Sequence, residues 1–348
     1  MTILRELKSE RTLALGSNGL VDRFGRRITY LRVSVTDRCN LHCSYCMPAG
    51  RPQWFEREKL LSFEEIYRIV RVAAELGIHK VRLTGGEPLL RTELAKLVAM
   101  LRPIEGLCEL VMTTNATLLE RFAQALKDAG LDRLNISLDS LHPEKFVRIT
   151  GSNKFHDVWR GIEAALAAGF APIKINMVVI KGINDDEVVD FARLTTRYPF
   201  HVRFIEYMPI GANRDEWERS KVVSCAEIRE RIARELPLVS AEDFSEVKGP
   251  ERTFAVCEGK GCIGFISPVS DEFCAMCNRM RLTSDGKLRG CLMRNGELDL
   301  RAALRLGASD DELRHLLLEA VARKPEKHTI NSPDFEYSDF YTMNRLGG

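Results

Sequence analysis

From residue 28 to about 237 one pattern recurs: a short apolar, β-branched run, then a loop, a helical period and a new apolar run. The runs are Ile28–Val35, His79–Leu83, Glu109–Met112, Arg133–Ser137, Ile173–Val179 and His201–Glu206. Strands separated by helices cannot be hairpin partners. They pair in parallel through crossovers, so the series predicts an α/β chain built on a parallel sheet. A doubly wound sheet and a partial barrel both satisfy this order. Either one places a site at the C-terminal ends of the strands. Local signals mark the helices. Ser62 with Glu65 has capping-box spacing, and Ile66, Ile69, Val70 and Ala73 follow on one face. Gly77, Gly130 and Gly169 close three helices, because glycine adopts the left-handed terminal conformation without a Cβ clash. Asn184 with Glu187 and Ser224 with Glu227 predict two further helix starts.

The loops after these runs carry the unusual chemistry. Cys39, Cys43 and Cys46 follow the first run, Gly85-Gly86-Glu87-Pro88 the second and Thr113-Thr114-Asn115 the third. Ser137 closes the fourth, and Met208 follows the sixth. Beyond residue 237 the rhythm changes. Arg252–Cys257 and Ile263–Ser267 read as a hairpin around residues 258–261, Asp285-Gly286 as a tight turn, and Ser309 with Glu312 as a helix start. The predicted organisation is an N-terminal extension (1–20), a core (21–237) and a smaller C-terminal region (238–348) that covers one side of the sheet.

With 51 Lys and Arg against 49 Asp and Glu, the net charge of +2 excludes a strongly basic nucleic-acid domain. No apolar run approaches the ~18 residues of a membrane span. Residues 1–20 mix both charge signs and lack a signal-peptide core, so a cytoplasmic location is expected. Ten cysteines in that setting point to metal or catalysis rather than disulfides. Cys39, Cys43 and Cys46 form C-x3-C-x2-C; Cys274, Cys277 and Cys291 form the second group. Three thiolates can hold three irons of a 4Fe–4S cubane and leave the fourth iron open. Zinc with a histidine is the alternative. Yet zinc sites favour paired C-x2-C dyads, and His42 beside Cys43 would strain joint ligation. Cys257 and Cys262 read as hairpin thiols, and Cys108 and Cys225 stand apart.

Cys39-Asn40-Leu41-His42-Cys43-Ser44-Tyr45-Cys46-Met47-Pro48 resembles the cluster motif of the radical S-adenosylmethionine superfamily. Gly85-Gly86-Glu87-Pro88 resembles its second motif. Phe273-Cys274-Ala275-Met276-Cys277-Asn278-Arg279-Met280-Arg281, with Gly290-Cys291-Leu292, is similar to the GTP 3′,8-cyclase family, whose members begin molybdenum cofactor biosynthesis. The resemblance implies a partial (βα)6 TIM-type barrel with a C-terminal α+β region carrying a second cluster. It implies a lyase that draws on a 5′-deoxyadenosyl radical to abstract hydrogen from C3′ of GTP and join that carbon to C8.

The same resemblance implies the site. Two 4Fe–4S clusters sit on Cys39, Cys43 and Cys46 and on Cys274, Cys277 and Cys291. Tyr45, Gly86, Ser137 and Met208 bind S-adenosylmethionine. Arg32, Arg82, Thr113, Lys174, Arg279 and Arg281 bind GTP. Gly347 and Gly348 enter the active site and support radical transfer. Implied partners are cyclic pyranopterin monophosphate synthase downstream, an electron donor and a second copy in a homodimer. Here His42 replaces a longer polar residue of the family motif, and Leu346 replaces isoleucine before the terminal glycines.

Overall fold

The computed structural model describes residues 19–47, 53–210, 217–240, 251–257, 259–294, 296–332 and 342–347. Most of the N-terminal extension and Gly348 lie outside the described residues. The six predicted strands form: β1 (Tyr30–Ser34), β2 (Lys80–Thr84), β3 (Glu109–Thr114), β4 (Arg133–Ser137), β5 (Ile173–Val179) and β6 (Phe200–Glu206). They pair in parallel in chain order, each with the next. A doubly wound sheet reverses its order at a switch point. None occurs along β1 to β6, which removes that alternative.

The crossover helices are α1 (Phe63–Glu75), α2 (Leu94–Leu101), α3 (Leu119–Asp128), α4 (Pro143–Thr150), α5 (Phe155–Ala167), α6 (Val188–Arg197) and α7 (Cys225–Ala233). Right-handed crossovers between sequential neighbours put helices on one face of a sheet. The packing agrees. Leu31 and Val33 of β1, Val81 and Leu83 of β2, and Ile173, Ile175, Met177 and Val179 of β5 join the helices in one apolar core. Most of the residues between them are polar, among them Arg32, Arg82, Lys174 and Asn176, with Val178 the exception. A parallel strand buried on both faces reads as a continuous apolar run. The alternation here therefore marks a second, polar face.

The C-terminal region does not cover one side of the sheet as predicted. It extends both edges. The strands are β7 (Leu238–Ser240), β8 (Glu251–Val256), β9 (Cys262–Ile266), β10 (Arg279–Leu282), β11 (Lys287–Arg289) and β12 (Leu298–Asp299). β10 pairs in parallel with β1, and β9 pairs in parallel with β6, giving twelve strands in one mixed sheet among the described residues. Both additions satisfy backbone groups that the outer core strands would otherwise leave open. The hairpin β8–β9 and the Gly286 turn (φ +84°) between β10 and β11 are as predicted. α8 (Leu300–Arg305), α9 (Asp310–Ala322) and α10 (Met343–Leu346) complete the chain.

Ser62 and Ser309 form complete capping boxes with Glu65 and Glu312, and the Ser224 hydroxyl accepts from the Glu227 amide. A cap of this kind contributes about 1 kcal/mol. The predicted helix start at Asn184 differs. Residues 185–187 make a single tight turn, and α6 begins at Val188. The Asn184 side chain is fully buried. It accepts from the Ile180 amide and donates to the carbonyls of Asp139 and Val178. Glu187 accepts from Ser140 and Leu141 instead of closing a box. Among the described residues no helix is long and apolar enough to cross a membrane.

Candidate functional site

The first cysteine triad lies on the loop after β1, held by the loops after β2 and β3. A Cβ on Gly85 would stand 2.5 Å from the Thr36 carbonyl oxygen, and one on Gly86 2.2 Å from that of Arg38. Only glycine permits so close a backbone approach. Glu87 is buried and accepts from the amides of Leu89 and Asn115 and from the Thr114 hydroxyl. Burial pushes its carboxyl up to about 7. Asn115 bonds Asn40 and approaches Cys39 Sγ at 3.8 Å. The Tyr45 hydroxyl donates to Asp139 (2.6 Å), which also accepts from the Val178 amide and ties this loop to β4 and β5.

Burial pushes the Cys39 thiol up to about 11 and, with Cys39 and Asp139 nearby, that of Cys46 to about 12. Cys43 is raised by burial, then by Cys46, Asp139 and Cys39. The three thiols are thus electrostatic neighbours. A metal's charge is what turns such thiols into thiolates. The donor set fits an iron–sulfur group. Among the described residues no three His, Cys, Asp or Glu side chains are gathered tightly enough to hold a single ion.

The second triad lies at the opposite end of the strands. Cys277 precedes β10, and Asn278 accepts through its carbonyl from the amides of Thr29 and Tyr30, where β1 begins. Cys291 follows β11, which runs back antiparallel to β10. The prediction of a site at the C-terminal ends alone therefore covers only half of the arrangement. Cys274 is raised by burial and feels Cys291 and Cys277. Burial pushes Cys277 up as well, but Arg279 and Lys324 outweigh it and bring the thiol down to about 7. Met208 and Cys291 both pack against a small cluster of Val269, Met293 and Ile330.

Between the triads the inner sheet face is cationic. Arg281, Arg32 and Arg82 stand in one register row across β10, β1 and β2. Each is 8% exposed, and Arg203 on β6 is 7% exposed. Burial, then Arg281 and Arg82, push the Arg32 pKa well down. Arg32 and Arg281 donate to the Gly347 carbonyl at 3.0 and 3.1 Å. Arg82 reaches the Thr113 hydroxyl at 3.3 Å, and the Asn135 amide oxygen accepts from Arg82 and Arg203. Glu251 on β8 faces His201, Arg203 and Lys174, which overcome its burial and hold its carboxyl well below the usual range. The Tyr30 hydroxyl and the Nε atoms of Arg32, Arg82 and Arg203 are buried without a hydrogen-bond partner among the described residues. Buried donors without a partner are costly, and the cationic ones call for a counter-charge.

Comparison with known proteins follows this geometry. Residues 33–195 match the Radical SAM superfamily model, and residues 200–330 match that of Molybdenum Cofactor Synthesis C. The GTP 3′,8-cyclase of Heliobacterium modesticaldum is 50% identical over 89% of this chain and 94% of its own. This chain belongs to the GTP 3′,8-cyclase family. The family's Moorella thermoacetica member is 48% identical over 94% of this chain and 99% of its own. Among solved structures, Streptococcus suis SuiB bound to S-adenosylmethionine superposes with a TM-score of 0.56 at 15% identity. That match covers 78% of this chain and 63% of SuiB, and it shows a shared fold.

On the GTP 3′,8-cyclase frame, the predicted residues fall at several places. Arg32, Arg82, Thr113, Arg281 and Gly347 make one connected set. Lys174 joins through Glu251 and Arg203. Arg279 starts β10 opposite Tyr30. Tyr45 and Gly86 sit with the first triad; Ser137 ends β4 opposite Asn176; Met208 follows the C-terminal end of β6 and packs on the small apolar cluster. Gly348 lies outside the described residues. Sequence reasoning missed Tyr30, Asn135, Arg203, Glu251 and Lys324. The first three were legible in the period-two alternation of their strands. No local pattern marks the last two.

Proposed function

We propose that this protein is a lyase that converts GTP to 3′,8-cyclo-7,8-dihydroguanosine triphosphate, opening molybdenum cofactor biosynthesis. The carrying observation is the buried row of Arg281, Arg32 and Arg82, with Arg203 nearby, between two cysteine triads. Guanidinium groups crowded out of water need a counter-charge. A triphosphate brings about four negative charges and offers the planar forks their preferred bidentate partner.

In this reading residues 21–237 form a partial (βα)6 barrel, a curvature that the sequential strand order supports. Cys39, Cys43 and Cys46 hold one 4Fe–4S cluster there, and Tyr45, Gly86, Ser137 and Met208 hold S-adenosylmethionine. Residues 238–348 hold the second cluster through Cys274, Cys277 and Cys291. When bound, the first cluster and S-adenosylmethionine supply a hydrogen-abstracting carbon radical. The protein's own groups do the rest. Asp139 fixes the hydroxyl of Tyr45, which stands between Cys43 and Cys46 in the sequence. Arg82, Arg203 and Lys174 anchor the phosphates, and Asn135 orients two of those cations. Arg32 and Arg281 hold Gly347 against the polar face. Hydrogen leaves C3′, that carbon bonds C8, and one electron and one proton complete a product isomeric with GTP. An external reductant supplies the electrons. The resemblance also supports a cytoplasmic homodimer whose product passes to cyclic pyranopterin monophosphate synthase.

The test is anaerobic turnover of the reconstituted protein with GTP, S-adenosylmethionine and a strong reductant. A GTP isomer with altered retention, formed in step with 5′-deoxyadenosine, is expected. If GTP raises 5′-deoxyadenosine no further than a peptide panel or buffer does, the reading fails.

A further inference from the structure

Two residues beyond α9, Lys324 is 2% exposed. Its Nζ donates to the Gly290 carbonyl (2.5 Å), the Arg279 carbonyl (3.0 Å) and Cys277 Sγ (3.4 Å). These acceptors belong to the stretches that carry the second triad: Cys277 itself, the first residue of β10, and the residue before Cys291. The same segment approaches the third cysteine, since the His328 backbone amide favours the ionised form of the Cys274 thiol. Arg26 pins the segment. Its guanidinium donates to the carbonyls of Cys274 (2.8 Å), Pro325 (2.5 Å) and Glu326 (2.7 Å), and it is paired with Asp22 at 2.6 Å.

A buried ammonium needs a negative partner. No carboxylate pairs with Lys324 among the described residues, and its acceptors are two neutral carbonyls and one sulfur. The sulfur is the one acceptor able to carry charge. We propose that Lys324 is a positioning and charge-compensating residue of the second cluster. Its ammonium neutralises the Cys277 thiolate and fixes the spacing of Cys277 and Cys291, while Arg26 and Asp22 hold the 324–328 segment over the triad. The inference rests on the two-cluster reading above. Hydrogen bonds and charge at ligand sulfurs are main determinants of cluster potential, and residues behind the ligands hold the ligands in place. The ammonium therefore makes the second cluster easier to reduce and slower to lose.

The test uses full-length protein reconstituted without air. Iron and sulfide per chain, the rate of iron loss to a chelator, and an EPR-monitored redox titration are compared for wild type, Lys324→Arg, Lys324→Gln and Lys324→Met. In Lys324→Met and Lys324→Gln, the second cluster's potential shifts negative. Chelation takes iron from about eight toward about four per chain faster than in wild type. The first cluster's signal with S-adenosylmethionine stays unchanged. Lys324→Arg restores the potential toward the wild-type value, which a merely space-filling lysine would not require. If Lys324→Met fails to fold, Lys324→Gln keeps a donor without the charge and carries the same expectation. A wild-type potential and chelation rate in the neutral variants would overturn the proposal. Wild-type protein holding only about four irons, with none lost on Cys274→Ala, would defeat the two-cluster reading itself.

Discussion

Arg32 and Arg281 stand opposite each other on the parallel neighbours β1 and β10, and both donate to the carbonyl oxygen of Gly347. The end of the chain thus supplies a shared acceptor for two crowded cations. Gly347 has φ +77°, and a Cβ there would lie 2.8 Å from Thr84 Cγ2. For Gly347→Ala the left-handed backbone costs roughly 1–2 kcal/mol, and the contact pushes the tail outward. Product formation should fall roughly tenfold or more, equivalent to about 1.4 kcal/mol of barrier. Iron content should hold. Unimpaired turnover would show that the tail carbonyl is dispensable.

Gly86→Ala tests the seat of the first triad. The added carbon meets the Arg38 carbonyl oxygen at 2.2 Å and the Asp37 oxygen at 2.7 Å. Both are backbone atoms, so no flexible side chain can yield. The loop bearing Cys39 must move, and about half of the iron should be lost while the second cluster's spectrum persists. Full iron occupancy in this variant would contradict the packing argument.

The cationic row makes a charge-specific prediction. Truncating Arg82 or Arg203 removes a charge-assisted contact worth about 1.5–3 kcal/mol, or roughly 10- to 150-fold in the GTP dissociation constant. Guanosine carries no phosphate, so its weaker binding should change little. Calorimetric titration of both ligands checks this; equal losses for the two would place the arginines elsewhere than at the phosphates.

Glu87 makes stability depend on pH. Its carboxyl rises from 4.5 to about 7 because it is buried, and Asp139 rises from 3.8 to about 6 for the same reason. Between its unfolded and folded values each acid is ionised in the unfolded chain and still protonated in the folded one. Stability is therefore lost as pH rises through that window, by roughly 3 kcal/mol for Glu87. Urea midpoints of cluster-free protein should fall between about pH 4.5 and 7, and Glu87→Gln should flatten the slope while lowering the acidic midpoint. Midpoints that fall as steeply in Glu87→Gln as in wild type would refute the assignment.

Asn184→Ala should lower unfolding free energy by about 1–3 kcal/mol, because it strands the Ile180 amide and two carbonyls in the interior. GTP binding should survive in the folded fraction. A loss near the few tenths expected for a surface residue would return Asn184 to the role of an exposed cap.

The contrast between Asn184 and Ser62 shows why some features were legible. Both precede a glutamate by three residues. Ser62 closes its box within one turn, which is a local event, whereas β4 and β5 recruit Asn184 into the core. The strands were legible because alternation of apolar and polar residues is also local. β4 and β5 match the predicted ranges, and the others differ by one or two residues at one or both ends.

The series of strand–helix units and the two cysteine triads were determined by the sequence alone, because short-range periodicity and covalent spacing define them. Only the tertiary structure decided that β10 lies beside β1, that Arg281 therefore meets Arg32, and that Lys324 reaches Cys277. Those contacts join segments far apart in the chain. They are selected by the burial of the whole sheet, and no local pattern encodes which distant edge a strand will complete.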